Sequence, residues 1–243
     1  MPTTSDNNKR IAKNTLMLYF RMLVMMAVSL YTSRVVLDTL GVSDYGIYNV
    51  VGGFVTMFSL ISGAMTTATQ RFLSFAMGEG KTDEVTSLFS TAVIIHIGLA
   101  LIILLLGETV GVWFVSTQMN FPAGRYNAAI WVFEFSLLTF LVSVINVPYN
   151  AAIIAYEKMS AFAYISIIEV VLKLVIVYLL LITPFDRLIF YAILMAIVQL
   201  GVQMIYASYT HRKIKTCHCN WRLNHQYFKQ MTSFVSWNLI GSL

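Results

Sequence analysis

The sequence predicts an all-α protein, a polytopic bundle of membrane-crossing helices, and three observations predict it. Of its 243 residues, 58% are hydrophobic and only 11% are charged, whereas soluble domains carry about 25% charged residues; mean hydropathy is +0.74. The apolar residues gather into long runs that do not alternate, close to the ~20 residues needed to cross roughly 30 Å of hydrocarbon. In lipid a helix satisfies its own backbone groups, while an open strand leaves them bare. Finally, Lys and Arg are sorted unevenly among the segments between the runs, as membrane orientation requires.

Six runs stand out, at 14–36, 45–69, 87–115, 127–150, 160–182 and 187–209, each bounded by charge, Pro or Gly. Residues 1–13 are polar and basic and read as a cytoplasmic N-terminal segment. The run that follows exceeds a signal-peptide core and lacks a small-residue cleavage site, so it predicts an uncleaved first helix. In the second run Asn49, Gly53, Thr56, Gly63, Thr67 and Gln70 lie within about 60° of one helical face. Its glycines suit close helix packing, and Asn49, Thr67 and Gln70 suit a polar wall. Pro148, in INVPYN, predicts the end of the fourth helix or, less simply, a bend in it. The fifth contains EVVLKLVIVYLLL, with Glu169 roughly 14 Å into the span and Lys173 one turn on. Residues 14–210 thus form one six-helix unit. A basic cytoplasmic linker, 211–227, leads to an amphipathic seventh segment, 228–243.

The basic residues test this map. With the N-terminus inside, cytoplasmic stretches hold eleven Lys and Arg and outer stretches hold three, Arg34, Arg125 and Arg187. A wrong helix count scrambles such an alternation. The expected location is therefore the cytoplasmic membrane, multi-pass, with the N-terminus cytoplasmic.

Several function classes are excluded. A net charge of +5 invites nucleic acid, but the cations do not form one aromatic-laced face. GEGKT at Gly78–Thr82 lacks the earlier glycine of a phosphate-binding loop, since Phe75 stands there, and no strand precedes it. It reads as a charged turn, with Lys81, Asp83 and Glu84 opening the next helix. Cys217 and Cys219, with His211, His218 and His225 nearby, match no common zinc spacing, so no metal or other cofactor is expected. His96, the one histidine inside a span, reads as a bundle hydrogen bond or, less simply, a proton relay. Asp38 and Asp44 read as cap and turn residues of LGVSDYG. Outer loops are short, and no hydrolase or zinc-protease motif appears. The expectation is not an enzyme.

The charges inside the runs carry more information, because each costs at least about 2.5–3.5 kcal/mol at the bilayer centre. Those singled out are Arg21, Glu134, Glu169 and Lys173. Glu before Lys at i,i+4 is the favourable order, and Ser166 extends the pair into a polar stripe. Such a stripe either fixes helix packing or forms the wall of a wet cavity.

The segments KNTLMLYFRMLVMMAVSLYTSRVVLDTLGVSDYGIYNVVGG, ATQRFLSFAMG, VPYNAAIIAYEKMSAFAYISIIEVVLK and FVSWNLIGSL resemble stretches of bacterial polysaccharide and O-antigen flippases. These belong to the multidrug/oligosaccharidyl-lipid/polysaccharide exporter superfamily. The resemblance implies two six-helix lobes facing a central cavity, of which this chain is similar to the first lobe plus the start of helix seven. It implies a polyprenyl-pyrophosphate-linked oligosaccharide as substrate, moved from inner to outer leaflet for polysaccharide or lipopolysaccharide synthesis. With no ATP site visible in the sequence, an ion gradient of Na+ or H+, or the membrane potential, is expected to drive it; glycan-assembly enzymes are the expected partners, and nucleic acid is not. Carried onto this chain, substrate contacts fall on Arg21, Arg34, Lys173, Asn49 and Arg71, and ion coupling on Glu134 and Glu169. Arg34 lies about 20 Å along the helix from Arg21 and on another face. Alternatives are an ion-coupled multidrug antiporter, which favours acidic cavity residues, and a non-transporting scaffold of the glycan machinery.

Overall fold

The computed structural model describes residues 4–122 and 124–242, and every regular element among them is helical. In chain order these are α1 (Thr4–Thr56), α2 (Ser59–Gly78), α3 (Thr82–Leu106), a π-helical turn (Gly107–Gly111), α4 (Val112–Thr117), α5 (Tyr126–Ala155), α6 (Met159–Ile182), α7 (Arg187–Lys213) and α8 (His225–Ser242). Five stretches are long and apolar enough to cross a membrane: Ile11–Thr56, Thr82–Thr117, Tyr126–Ala155, Met159–Ile182 and Arg187–Lys213. Large apolar side chains such as Leu101, Ile102, Leu105 and Trp113 remain exposed on the outside of the bundle. Those surfaces suit lipid contact.

The element boundaries differ from expectation in four places. The first and second runs are not separated by a loop. They join within α1 at one non-helical residue, Gly41, with φ 78° and ψ 165°, a conformation open essentially to glycine alone. The second run is itself interrupted: Met57 and Phe58 form a turn, their N–H groups donating to the Phe54 and Val55 carbonyls at 3.3 and 3.2 Å, and α2 then runs on to Gly78. Pro148 lies inside α5 and is buried there, and the helix continues to Ala155. A membrane helix tolerates such a proline because neighbours re-satisfy the freed carbonyl. Lastly, the N-terminal segment is helical from Thr4. Leu243, the last residue of the seventh segment, lies outside the described residues. Asn224 starts α8 by accepting from Gln226 N at 3.0 Å and Tyr227 N at 3.4 Å.

The third run holds a register shift. A Cβ at Gly107 would stand 2.5 Å from Leu137 Cδ2, and one at Gly111 2.5 Å from Phe133 Cζ. Two missing side chains thus let the π turn settle directly on α5, against residues that are almost wholly buried. One core joins α1, α3 and α5 through Val51, Ile103 and Phe133. Another ties α2, α3, α5 and α8 together through Leu73, Phe89, Ile153 and Met231. A smaller one, around Val36, Val177 and Tyr191, packs α1 on α6 and α7. That third core floors the cavity described next.

Candidate functional site

The Gly41 elbow turns the two halves of α1 into two walls. With α6 and α7 they enclose a cavity of about 300 Å³. Its polar lining comes from Ser29, Thr32 and Ser33 on the first half, Tyr45, Tyr48 and Asn49 on the second, Lys173 on α6 and Tyr191 on α7. The Tyr48 and Tyr191 rings meet edge-on, centroids 4.8 Å apart. The Thr32 hydroxyl oxygen is buried with no hydrogen-bond partner among the described residues.

Lys173 enters this lining while bound from below: its Nζ donates to Glu169 Oε1 at 2.6 Å. Further toward the start of α6, and on the same face, Ser166 Oγ donates to the Phe162 carbonyl at 2.9 Å. The Phe162 ring carries the Arg21 guanidinium 4.2 Å from its centroid, a cation–π contact. Arg21 Nε and Nη1 are buried and have no hydrogen-bond partner among the described residues. Tyr206 of α7 lies within electrostatic reach of Ser166, Glu169 and Arg21. Arg21, Phe162, Ser166, Glu169 and Lys173 therefore form one strip leading to the cavity, with two cations and one carboxylate.

A second charged cluster sits where α5 and α7 begin. The Arg125 guanidinium donates to Asp44 Oδ2 at 2.5 Å and, through its other terminal nitrogen, to Asp186. Asp186 also caps α7, accepting from Leu188 N at 3.0 Å and Ile189 N at 3.3 Å. Arg187 Nη1 donates to the Thr39 carbonyl at 3.2 Å. Asp44 is thus a buried ion-pair partner rather than the cap or turn residue expected, because the elbow carries it under the start of α5. Asp38 stays exposed.

The other candidates are dispersed. Asn49 lines the cavity and donates to the Tyr45 carbonyl at 2.8 Å. Arg34 is exposed and is not part of the lining. Arg71, also exposed, lies over the Phe234 ring of α8 at 4.8 Å. Glu134 is half-buried on α5, its carboxyl within hydrogen-bonding reach of Glu108 in the π turn. The sequence reading missed Glu108, the three lining tyrosines and the hydroxyls of the first helix. Ser29, Thr32, Ser33 and Val36 do follow helical spacing, a signal present in the run.

Elsewhere the chemistry is structural. Lys81 pairs with Glu79 at 2.8 Å and Glu84 at 3.2 Å, so GEGKT is a charged turn. The 214–224 linker is tied to α3: Thr86 Oγ1 donates to the Thr216 carbonyl at 2.7 Å, and Asn220 N donates to Ser90 Oγ at 3.0 Å. Both cysteines are free, and burial pushes the Cys217 thiol up to about 12. Among the described residues no group of three His, Cys, Asp or Glu is placed to hold a metal. His96 is buried, with Nδ1 2.7 Å from the Ala92 carbonyl.

An all-helical bundle with a polar hollow lined by α1, α6 and α7 defines a class, a multi-pass membrane helix bundle. Among solved structures the chain is similar in fold to one reported as a MOP superfamily transporter from Pyrococcus furiosus, whose reverse-polarity binding pocket suggests a different function. The TM-score is 0.64 at 15% identity, over 94% of this chain and 51% of the other, so the chain spans about half that protein's length. No protein-family model matches the chain, and no curated protein does.

Proposed function

We propose that the chain is the six-helix lobe, with the opening of a seventh helix, of a transporter that moves a polyprenyl-pyrophosphate-linked oligosaccharide to the outer leaflet of the cytoplasmic membrane. The elbow at Gly41 supports a count of six. The Ile11–Thr56 stretch has 46 residues, about 70 Å of helix at ~1.5 Å per residue, more than one crossing needs. The part after the elbow, 42–56, is only about 22 Å long, so on this reading α2, beyond the Met57–Phe58 turn, completes a second crossing and five stretches become six.

The observation that carries the reading is the charge surplus of the α1–α6–α7 face. Arg21 and Lys173 lie on one strip with a single carboxylate, Glu169, which bonds Lys173, beside a cavity rich in hydroxyl and phenol groups. A sugar chain and pyrophosphate cannot enter hydrocarbon unaided, because each unsatisfied polar group costs several kcal/mol. Lys173 answers the pyrophosphate, with Arg21 adding positive charge from the strip beside the cavity, hydroxyls and Asn49 answer the sugar, and the lipid tail stays in the bilayer. Arg71, beyond the bundle's middle, serves as an entry contact. Arg34 is assigned to a different depth from Arg21. Ion coupling, to Na+ or H+, falls to the Glu134–Glu108 pair. The antiporter alternative needs acidic cavity residues that are free, whereas Glu169 is already held by Lys173.

The test is export in cells. In a strain lacking its own flippase and carrying the gene for this chain, Arg21→Ala and Lys173→Ala each abolish surface glycan, measured by lectin or antibody labelling, at normal membrane levels of the protein. Undiminished export in both variants would remove this face from the transport path.

A further inference from the structure

We infer that Glu169 is a displaceable counterion, the residue that makes the cavity select a multiply charged phosphate over a neutral sugar. The inference rests on the cavity reading above and deepens it. Lys173 is the one formal charge in the cavity lining, yet its ammonium is already bonded to Glu169 at 2.6 Å. Any anion that takes Lys173 competes with a resident carboxylate. A neutral sugar offers no charge with which to compete. A single weak anion gains little by exchange of one carboxylate for another. A pyrophosphate carries several charges and strong acceptor oxygens, and charge-assisted bonds to it outweigh those to one carboxylate.

Displacement requires somewhere for the released carboxylate to go, because an unpaired charge in a low-dielectric bundle is costly. Arg21 supplies that place. It lies on the strip toward the start of α6, over Phe162, seven residues before Glu169 and hence two turns away on the same face. Two of its guanidinium nitrogens are buried and unpartnered among the described residues. Tyr206, within electrostatic reach of Arg21 and Glu169 alike, adds a polar group beside the strip. Arg21 therefore acts on the cavity's ligand through Glu169, as a positioning residue.

The experiment measures binding of inorganic pyrophosphate, with N-acetylglucosamine as the neutral control, to the purified chain in lipid nanodiscs by calorimetry. Glu169→Gln is expected to bind pyrophosphate at least tenfold more tightly than wild type, and Glu169→Ala does the same should the amide variant misfold. Lys173→Gln loses binding. Arg21→Gln weakens binding in the wild-type background and has no effect when combined with Glu169→Gln, since no released carboxylate then needs a host. Equal or weaker binding by both Glu169 variants overturns the counterion role, while loss in Lys173→Gln leaves the cavity reading standing. An equal Arg21→Gln effect in both backgrounds overturns the indirect role of Arg21. Unchanged binding in Lys173→Gln overturns the cavity reading itself.

Discussion

Two charged clusters in this bundle are built from the same residue types and end in opposite states. At the start of α5 and α7, Arg125 is held by two carboxylates, Asp44 and Asp186, and Arg187 is satisfied by the Thr39 carbonyl. Every charge has its complement, and the result is a clamp that pins the elbow to two helix starts. Along α6 the ratio is inverted. Two cations face one carboxylate, which bonds Lys173; two guanidinium nitrogens of Arg21 have no partner among the described residues, and a cavity opens beside them. In a low-dielectric interior an unbalanced charge is costly unless water or a ligand reaches it. On the reading proposed above, the balanced cluster belongs to architecture and the unbalanced one to binding.

The largest effect that tests this contrast is on the clamp. Arg125→Ala strands Asp44, whose side chain is 9% exposed. Removing one partner of a fully buried pair costs about 3–5 kcal/mol, and the cost here is nearer 2–3 kcal/mol because Arg125 and Asp186 stay about one-third exposed. A clear fall in the melting temperature of the detergent-solubilised chain is expected, with pyrophosphate binding retained in the surviving fold. A variant as stable as wild type would break the distinction. Next in size is Gly111→Ala. The new methyl meets the Phe133 ring in a packed core, and overpacking of this kind costs roughly 1–3 kcal/mol. Because the π turn lies away from the cavity, pyrophosphate affinity is expected to stay unchanged, which makes this variant the control for general loosening.

Much of the fold was legible because lipid enforces it. A run of apolar residues in a bilayer has one economical conformation, so the helices announce themselves. The joints were less legible. Gly41 sits in a stretch that reads as an ordinary loop, and only its backbone angles show that the helix resumes after one residue. Pro148 reads as a terminus in water and is absorbed in a bundle. The Glu169–Lys173 pair was visible from spacing alone, since both residues ride one helix. The meeting of Lys173 with Asn49 was not, because more than a hundred residues separate them and no local rule links α6 to the second half of α1. Tyr48 and Tyr191 were missed because a tyrosine in an apolar run reads as core. Glu108 was missed because the π turn shifts its register.

The smallest expected effect sharpens the contrast most. Glu169→Gln removes the only carboxylate bonded to Lys173 among the described residues, a change that at the clamp would strand a buried charge. On α6 the Lys173 side chain is 33% exposed and faces the cavity. Water there can solvate the freed ammonium, and the i,i+4 pair itself contributes only about 0.3–0.5 kcal/mol at such exposure. The expected loss of stability is therefore under about 1 kcal/mol, read as a shift of the thermal midpoint much smaller than that of Arg125→Ala. Added pyrophosphate restores and then exceeds the wild-type midpoint, since a ligand bound only to the folded state stabilises it in proportion to RT ln(1 + [L]/Kd). A Glu169→Gln variant that melts as low as Arg125→Ala and gains nothing from pyrophosphate would place both clusters in the architecture and leave the chain without a charge-receptive face.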